Sequence, residues 1–289
     1  MAHRASASET SGMAIERLRA IFDEDADLYA RARPGYPEEL IRDLSATASL
    51  GPGSRVLELG PGTGQATAAL LDLGVHVTAI ELGANLARVL ERDLGSERLD
   101  VAVSSFEDWT LPREPFDGVV AFTSWHWIDP AIRTLKAAAS LSHGGALATV
   151  TTTHVRGGTA EFFDAVQGCY ERWDPATPPG LRTVPADEIP ADRDEVDDSA
   201  LFSPAIRRRY ERDVRYTTAE YVALLSTYSG HRALPTESRN GLLACIANLI
   251  DSDHQGSITK RYLYELRVAH RTSEPVDAPG GEARRRLSD

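Results

Sequence analysis

The sequence predicts an α/β chain built on a doubly wound, mostly parallel sheet. Short apolar runs alternate with helix-forming stretches from residue 55 to residue 153, the pattern of a sheet with helices on both faces. The first run, Val56-Leu57-Glu58-Leu59, leads into a turn with glycine at every second position, Gly60-Pro61-Gly62-Thr63-Gly64, and helix formers follow from Ala66 to Leu73. The second run, His76-Val77-Thr78-Ala79-Ile80-Glu81, ends in a carboxylate.

Taken in order, residues 14–30 place Ile15, Leu18, Ile21, Phe22 and Leu28 at helical spacing, and Pro34 and Pro37 end that segment. Residues 38–50 form a second helix with Leu40, Ile41 and Leu44 on one face, and Gly51-Pro52-Gly53 breaks the chain before the first strand. Strand 55–59, helix 64–73, strand 75–81, helix 84–94, strand 99–103, strand 117–122, helix 129–142 and strand 145–153 follow. Between the third and fourth strands the turn-rich segment 106–116 replaces a helix. Residues 155–205 read as an irregular cap with one helix at 159–172. They hold Pro178-Pro179-Gly180 and the acidic stretch 192–198. Residues 206–216 read as a strand, 217–228 and 236–251 as helices, and 258–269 as a final strand. The segments 1–13 and 274–289 read as disordered and 14–273 as one domain, with cap or lid insertions at about 155–205 and 217–255.

Composition narrows the function. The chain has 289 residues, 42% hydrophobic and 26% charged, which is ordinary for a globular protein. A net charge of −12 argues against a general nucleic-acid binder, which shows a basic face. No apolar run is long enough to cross a bilayer, and the first twelve residues lack the apolar core of a secretory signal. The expectation is a cytoplasmic protein with a small-molecule partner, with neither nucleic acid nor membrane, and compatible with a homodimer. Cys169 and Cys245 are far apart with no metal-type spacing, so each reads as a small buried hydrophobe. No metal site is expected.

The glycine turn suits a ligand that comes close to the backbone, beside the free N–H groups of a helix start. Glu81, 23 residues after Glu58, stands at the tip of the second strand, where nucleotide folds grip ribose hydroxyls. A dinucleotide fingerprint wants glycine at the first, third and sixth positions of its loop. Counted from Gly60 the sixth position is Gln65, and the third glycine arrives early as Gly64. Glu58 would repel a pyrophosphate and attract an ammonium group.

Glu58-x-Gly60-x-Gly62-x-Gly64 therefore resembles the first motif of class I S-adenosylmethionine-dependent methyltransferases. Tyr29 to Pro37, with its Arg33-Pro34-Gly35-Tyr36-Pro37 run, is similar to the N-terminal segment of a bacterial small-molecule branch of that family. Phe116 to Pro130, with its His126-Trp127 turn, is similar to that branch's fourth strand. Ser142-His143-Gly144-Gly145 departs from the family's Pro-Gly-Gly before strand five. The resemblance implies a Rossmann-like, seven-stranded sheet with an antiparallel last strand, and S-adenosylmethionine as cofactor. It implies methyl transfer to an O, N or C nucleophile of a small molecule, such as a secondary metabolite. It further implies that Gly60, Gly62 and Gly64 wrap the cofactor's amino-acid end, that Glu58 orients the loop or reaches the ammonium, and that Glu81 accepts from the ribose hydroxyls. Leu82, Ser105 and Phe106 would surround the adenine; many relatives have aspartate where Ser105 stands. Ala121 would offer backbone to the methionine part, and Tyr29 and Arg33 would close over the site, with Arg33 pairing the carboxylate. His126 is the candidate general base, and Trp125 and Trp127 are candidates to line an acceptor pocket. Other readings use the same residues: a nicotinamide-dependent oxidoreductase, the same fold and cofactor used for a cyclisation, and a non-catalytic binding protein.

Overall fold

In a computed structural model, residues 22–272 are described, so the segments 1–13 and 274–289 expected to be disordered, and the first part of the expected helix 14–30, lie outside the described residues. Helices α1 (Ala26–Ala32) and α2 (Glu38–Ala48) precede the sheet. Then follow β1 (Arg55–Leu59), α3 (Thr67–Asp72), β2 (His76–Glu81), α4 (Ala84–Leu94), β3 (Leu99–Val103), β4 (Phe116–Phe122), α5 (Pro130–Ser140) and β5 (Leu141–Val155). The last third contains α6 (Ala160–Ala165), α7 (Gln167–Trp173), β6 (Ile206–Thr217), α8 (Thr218–Leu225), α9 (Ser229–Ala233), α10 (Thr236–Asp253) and β7 (Ser257–His270).

The seven strands lie in the order β3-β2-β1-β4-β5-β7-β6. The first five are parallel, and β7 runs antiparallel to both β5 and β6. This is the Rossmann-like sheet the sequence implied. The order reverses between β1 and β4, which opens a crevice at their carboxyl ends.

Burial explains the strand sequences. Four of the five residues of β1 are buried, because a parallel strand is covered on both faces. One core layer joins the sheet to α2, α3, α8 and α10 through Leu40, Leu44, Leu70, Leu224 and Ile246. The other joins it to α5 through Leu57, Phe116, Val119 and Ala137. At the sheet edge, β6 carries Arg207, Arg208, Arg209 and Arg212 and is mostly exposed, a charged edge that discourages pairing with another chain.

Three details differ from the sequence reading. The expected helix 159–172 is two helices, α6 and α7, meeting at Val166. Strand β5 starts at Leu141, four residues early, because Leu141 pairs with Phe116 before a register shift. Cys169 on α7 and Cys245 on α10 are not separate hydrophobes: they form a disulfide, with Cα atoms 5.8 Å apart. Sequence spacing could not reveal it, since only the packing of α7 on α10 brings the two together.

Candidate functional site

A cavity of about 480 Å³ opens at the carboxyl ends of β1, β2 and β4. The glycine turn forms one wall, and each glycine has its own reason to be there. All three have positive φ: +64° at Gly60, +62° at Gly62 and +96° at Gly64. A Cβ on Gly60 would stand 2.7 Å from that of Ser124, beyond β4. A Cβ on Gly64 would meet Leu94 at 2.5 Å and Leu90 at 2.7 Å, so this glycine lets the turn pack on α4. Gly64 does not line the cavity, whereas Gly60 and Gly62 do. A Cβ on Gly62 would lie 3.3 Å from the Tyr29 ring, on the cavity side of the turn.

Glu81 holds this turn against β2. Its carboxylate accepts from the Gly62 amide at 2.9 Å and from the Gly83 amide at 2.8 Å, one on each oxygen. Each oxygen keeps a lone pair for a further donor. Burial raises its pKa, and the backbone donors work against that rise. Glu58 is buried beneath the turn, and one oxygen accepts from the Thr67 hydroxyl at 2.7 Å. Its other oxygen, Oε1, is buried with no hydrogen-bond partner among the described residues, in a residue that lines the cavity. Burial pushes the Glu58 carboxyl up to about 7, with the charge of Glu81 adding to the rise and Thr67 opposing it.

The N-terminal segment closes the other side. Asp23 reaches across to cap α4, accepting from the amides of Asn85 at 2.7 Å and Leu86 at 2.9 Å. The Arg33 guanidinium lies between the rings of Tyr29 and Tyr228, 4.8 and 4.6 Å from their centroids. It donates to the Thr227 hydroxyl at 2.9 Å and the Thr227 carbonyl at 3.0 Å. No carboxylate among the described residues forms an ion pair with it.

Eight of the eleven residues expected at the cofactor line the cavity together: Tyr29, Arg33, Glu58, Gly60, Gly62, Glu81, Leu82 and Phe106. Gly64, Ser105 and Ala121 do not. Ser105 turns to Asp108, its hydroxyl 2.7 Å from the carboxylate, and the preceding Ser104 faces the cavity instead. Ala121 is fully buried within β4, and Thr123, at φ +55°, takes its place at the strand tip. His126 and Trp127 line the mouth with ring centroids 4.9 Å apart. Partial burial and the nearby Arg133 charge hold the His126 imidazole below its usual pKa. Trp125 is buried, and its Nε1 donates to Asp194 at 2.7 Å.

Sequence reasoning missed the far end of the cavity. Thr152 and His154 on β5 and Lys260, Tyr262 and Tyr264 on β7 also line it, as does Tyr228. The period-2 spacing of Lys260, Tyr262 and Tyr264 was the available signal, since alternate residues of a strand share a face.

A methyltransferase-domain family matches residues 29–178, just over half of the chain. An uncharacterized methyltransferase of Mycobacterium tuberculosis is 33% identical over 132 residues, which is 46% of this chain and 52% of its own length. The chain thus spans about half the length of the curated relatives it matches first. Ribosomal RNA small subunit methyltransferase A of Thermosynechococcus vestitus is 44% identical over 64 residues, 22% of this chain and 24% of that one. A structure from Anaeromyxobacter dehalogenans, provisionally described as a type II methyltransferase, shares the fold with a TM-score of 0.57. It is 21% identical, and the match covers 84% of this chain and 99% of that one. With the glycine turn, the buried acids and the sheet order on the same side, the chain belongs to the class I S-adenosylmethionine-dependent methyltransferases.

Proposed function

We propose that this protein binds S-adenosylmethionine in the cavity and methylates an O, N or C nucleophile of a small-molecule acceptor. The observation that carries the reading is Glu58 Oε1, an unpaired buried oxygen beside a glycine turn that a Cβ would narrow. A bare carboxylate oxygen fits the ammonium of the cofactor's amino-acid end. Arg33, stacked and without an acid partner among the described residues, fits its carboxylate. The open lone pairs of Glu81 fit two ribose hydroxyls, each as a charge-assisted bond. Leu82, Leu86 and Phe106 offer apolar faces to the adenine.

When bound, S-adenosylmethionine supplies a methyl group already activated by its sulfonium charge. The chain's own task is to hold the acceptor in line and dry. His126 at the mouth is largely neutral near pH 7 and is placed to take a proton from a hydroxyl or amine acceptor. Tyr29, Arg33 and Tyr36 of the N-terminal segment, with Leu224 and Tyr228, line the cavity and are the parts of the chain that would cover a bound cofactor.

The net charge of −12 favours a small acceptor over RNA. The test is calorimetric titration of the full chain with S-adenosylmethionine and with a nicotinamide dinucleotide. Measured release of S-adenosylhomocysteine over a panel of small acceptors then follows. Binding of the first ligand alone, with turnover, supports the proposal; an affinity for the dinucleotide alone overturns it.

A further inference from the structure

The cavity extends beyond the residues assigned to the cofactor, along the face where β5 meets β7. In this antiparallel pair Thr152 lies opposite Tyr264 and His154 opposite Tyr262. Cross-strand partners project to one side, and all four, with Lys260, line the same cavity.

Lys260 is the unusual group. It is only 5% exposed, and a lysine this buried is ordinarily paired with an acid. No carboxylate among the described residues forms an ion pair with it. Its ammonium donates to the Tyr228 hydroxyl at 3.1 Å and sits 4.8 Å from the centroid of the Tyr262 ring. That accounts for one of its three N–H groups. Two neighbours on the cavity wall are also unsatisfied. The Tyr264 hydroxyl and His154 Nε2 are buried without hydrogen-bond partners among the described residues. Burial, with the Lys260 charge next, pushes the His154 imidazole down to about 3, so it is neutral and adds no second cation.

Arg33 and Lys260 both approach the Tyr228 ring, 4.6 and 5.4 Å from its centroid, but from different elements. Arg33 also stacks on Tyr29, whose ring a Cβ on Gly62 would meet at 3.3 Å, whereas Lys260 is carried by β7 and lies beside Tyr262. Arg33 is thus the cation grouped with the glycine turn through Tyr29, and Lys260 the one grouped with the β5–β7 wall. Tyr36, Phe122 and Trp127 add apolar and aromatic walls to the same cavity.

We propose that Lys260, with Tyr264 and His154 beside it, anchors the acceptor through an anionic oxygen, so that the substrate is an acid bound as its anion. This rests on the methyl-transfer reading above. A buried ammonium lacking a counter-charge gains most from a ligand that brings one, and a neutral ligand would leave it uncompensated.

The test uses benzoate, phenylacetate and cinnamate, each against its own amide. Binding to the full chain is measured by calorimetry with and without S-adenosylhomocysteine. At least one acid is expected to bind about tenfold tighter than its amide, and Lys260→Met is expected to erase that margin while S-adenosylhomocysteine affinity stays within about twofold. Lys260→Arg is expected to keep the margin. An acid held no better than its amide in all three pairs overturns the inference without any variant. So does a Lys260→Met protein that keeps the margin and instead loses S-adenosylhomocysteine. Failure of S-adenosylhomocysteine to bind the unaltered chain would sink the methyl-transfer reading alone, because the acid and amide comparison is also made in its absence.

Discussion

Glu58 combines deep burial, one hydroxyl donor and one bare oxygen. Its carboxyl is raised from the ordinary carboxylate range to about 7. The folded state therefore holds a proton that the unfolded chain has released across the interval from about 4.5 to about 7. Stability present below that interval is lost as pH rises through it, by up to roughly 3 kcal/mol. Glu58→Gln should flatten this segment of the stability curve in chemical denaturation measured across pH. Ammonium binding wants the ionised acid, so S-adenosylmethionine affinity should rise with pH through about 7 in the unaltered protein. In Glu58→Gln it should be weaker by about tenfold and independent of pH there. The neighbouring glycines separate binding from stability. Gly62→Asp should weaken cofactor binding, because it places a charged side chain against Tyr29 at a positive φ, as should Glu81→Ala. Gly64→Ala should lower stability by about 1–3 kcal/mol through its clash with Leu90 and Leu94. Calorimetry and thermal melts on the same samples distinguish the two effects.

Among the elements, the acidic stretch 192–198 is the one whose sequence says least about its setting. In the fold it is a strap across the sheet. Arg267, on β7 and 3% exposed, donates to both oxygens of Asp194 at 2.7 Å and also reaches Asp197. Arg133 on α5 grips Glu195 through two nitrogens, and Arg207 pairs with Asp197. Removing one member of such a buried network leaves charges uncompensated. Arg267→Met should lower stability by about 3–5 kcal/mol and open the strap to limited proteolysis between α7 and β6. Unchanged melting and cleavage would show that the strap is held by other contacts. The disulfide between α7 and α10 spans a sequence separation of 76. Cys169→Ser with Cys245→Ser should cost about 2–4 kcal/mol, and the unaltered protein denatured without reductant should show no free thiol. Two reactive thiols under those conditions would contradict the link.

For the whole molecule, a ligand that binds only the folded chain stabilises it by mass action. S-adenosylmethionine at about a hundred times its Kd should add about 2.7 kcal/mol, read as a rise in melting temperature. A nicotinamide dinucleotide at equal concentration should not. The half of the site nearest the glycine turn was legible in the chain itself. Glu58, Gly60, Gly62 and Glu81 lie within one strand-turn-helix-strand unit, so local spacing places them together. Ser105 and Ala121 were assigned by position along their strands. The register of the actual turns puts Ser104 and Thr123 at the cavity instead, a one- or two-residue difference that spacing cannot resolve.

What the sequence determined by itself was the alternation of strand and helix, the seven strands, the glycine turn and the acid at each of the first two strand tips. These follow from hydrophobic period and from glycine chemistry, which act over a few residues. Tertiary structure alone decided that Lys260 and His154 share a wall, that Arg33 sits between Tyr29 and Tyr228, and that Cys169 meets Cys245. Those meetings depend on antiparallel register and on helices packing across long stretches of chain. No short-range pattern of residues carries that information.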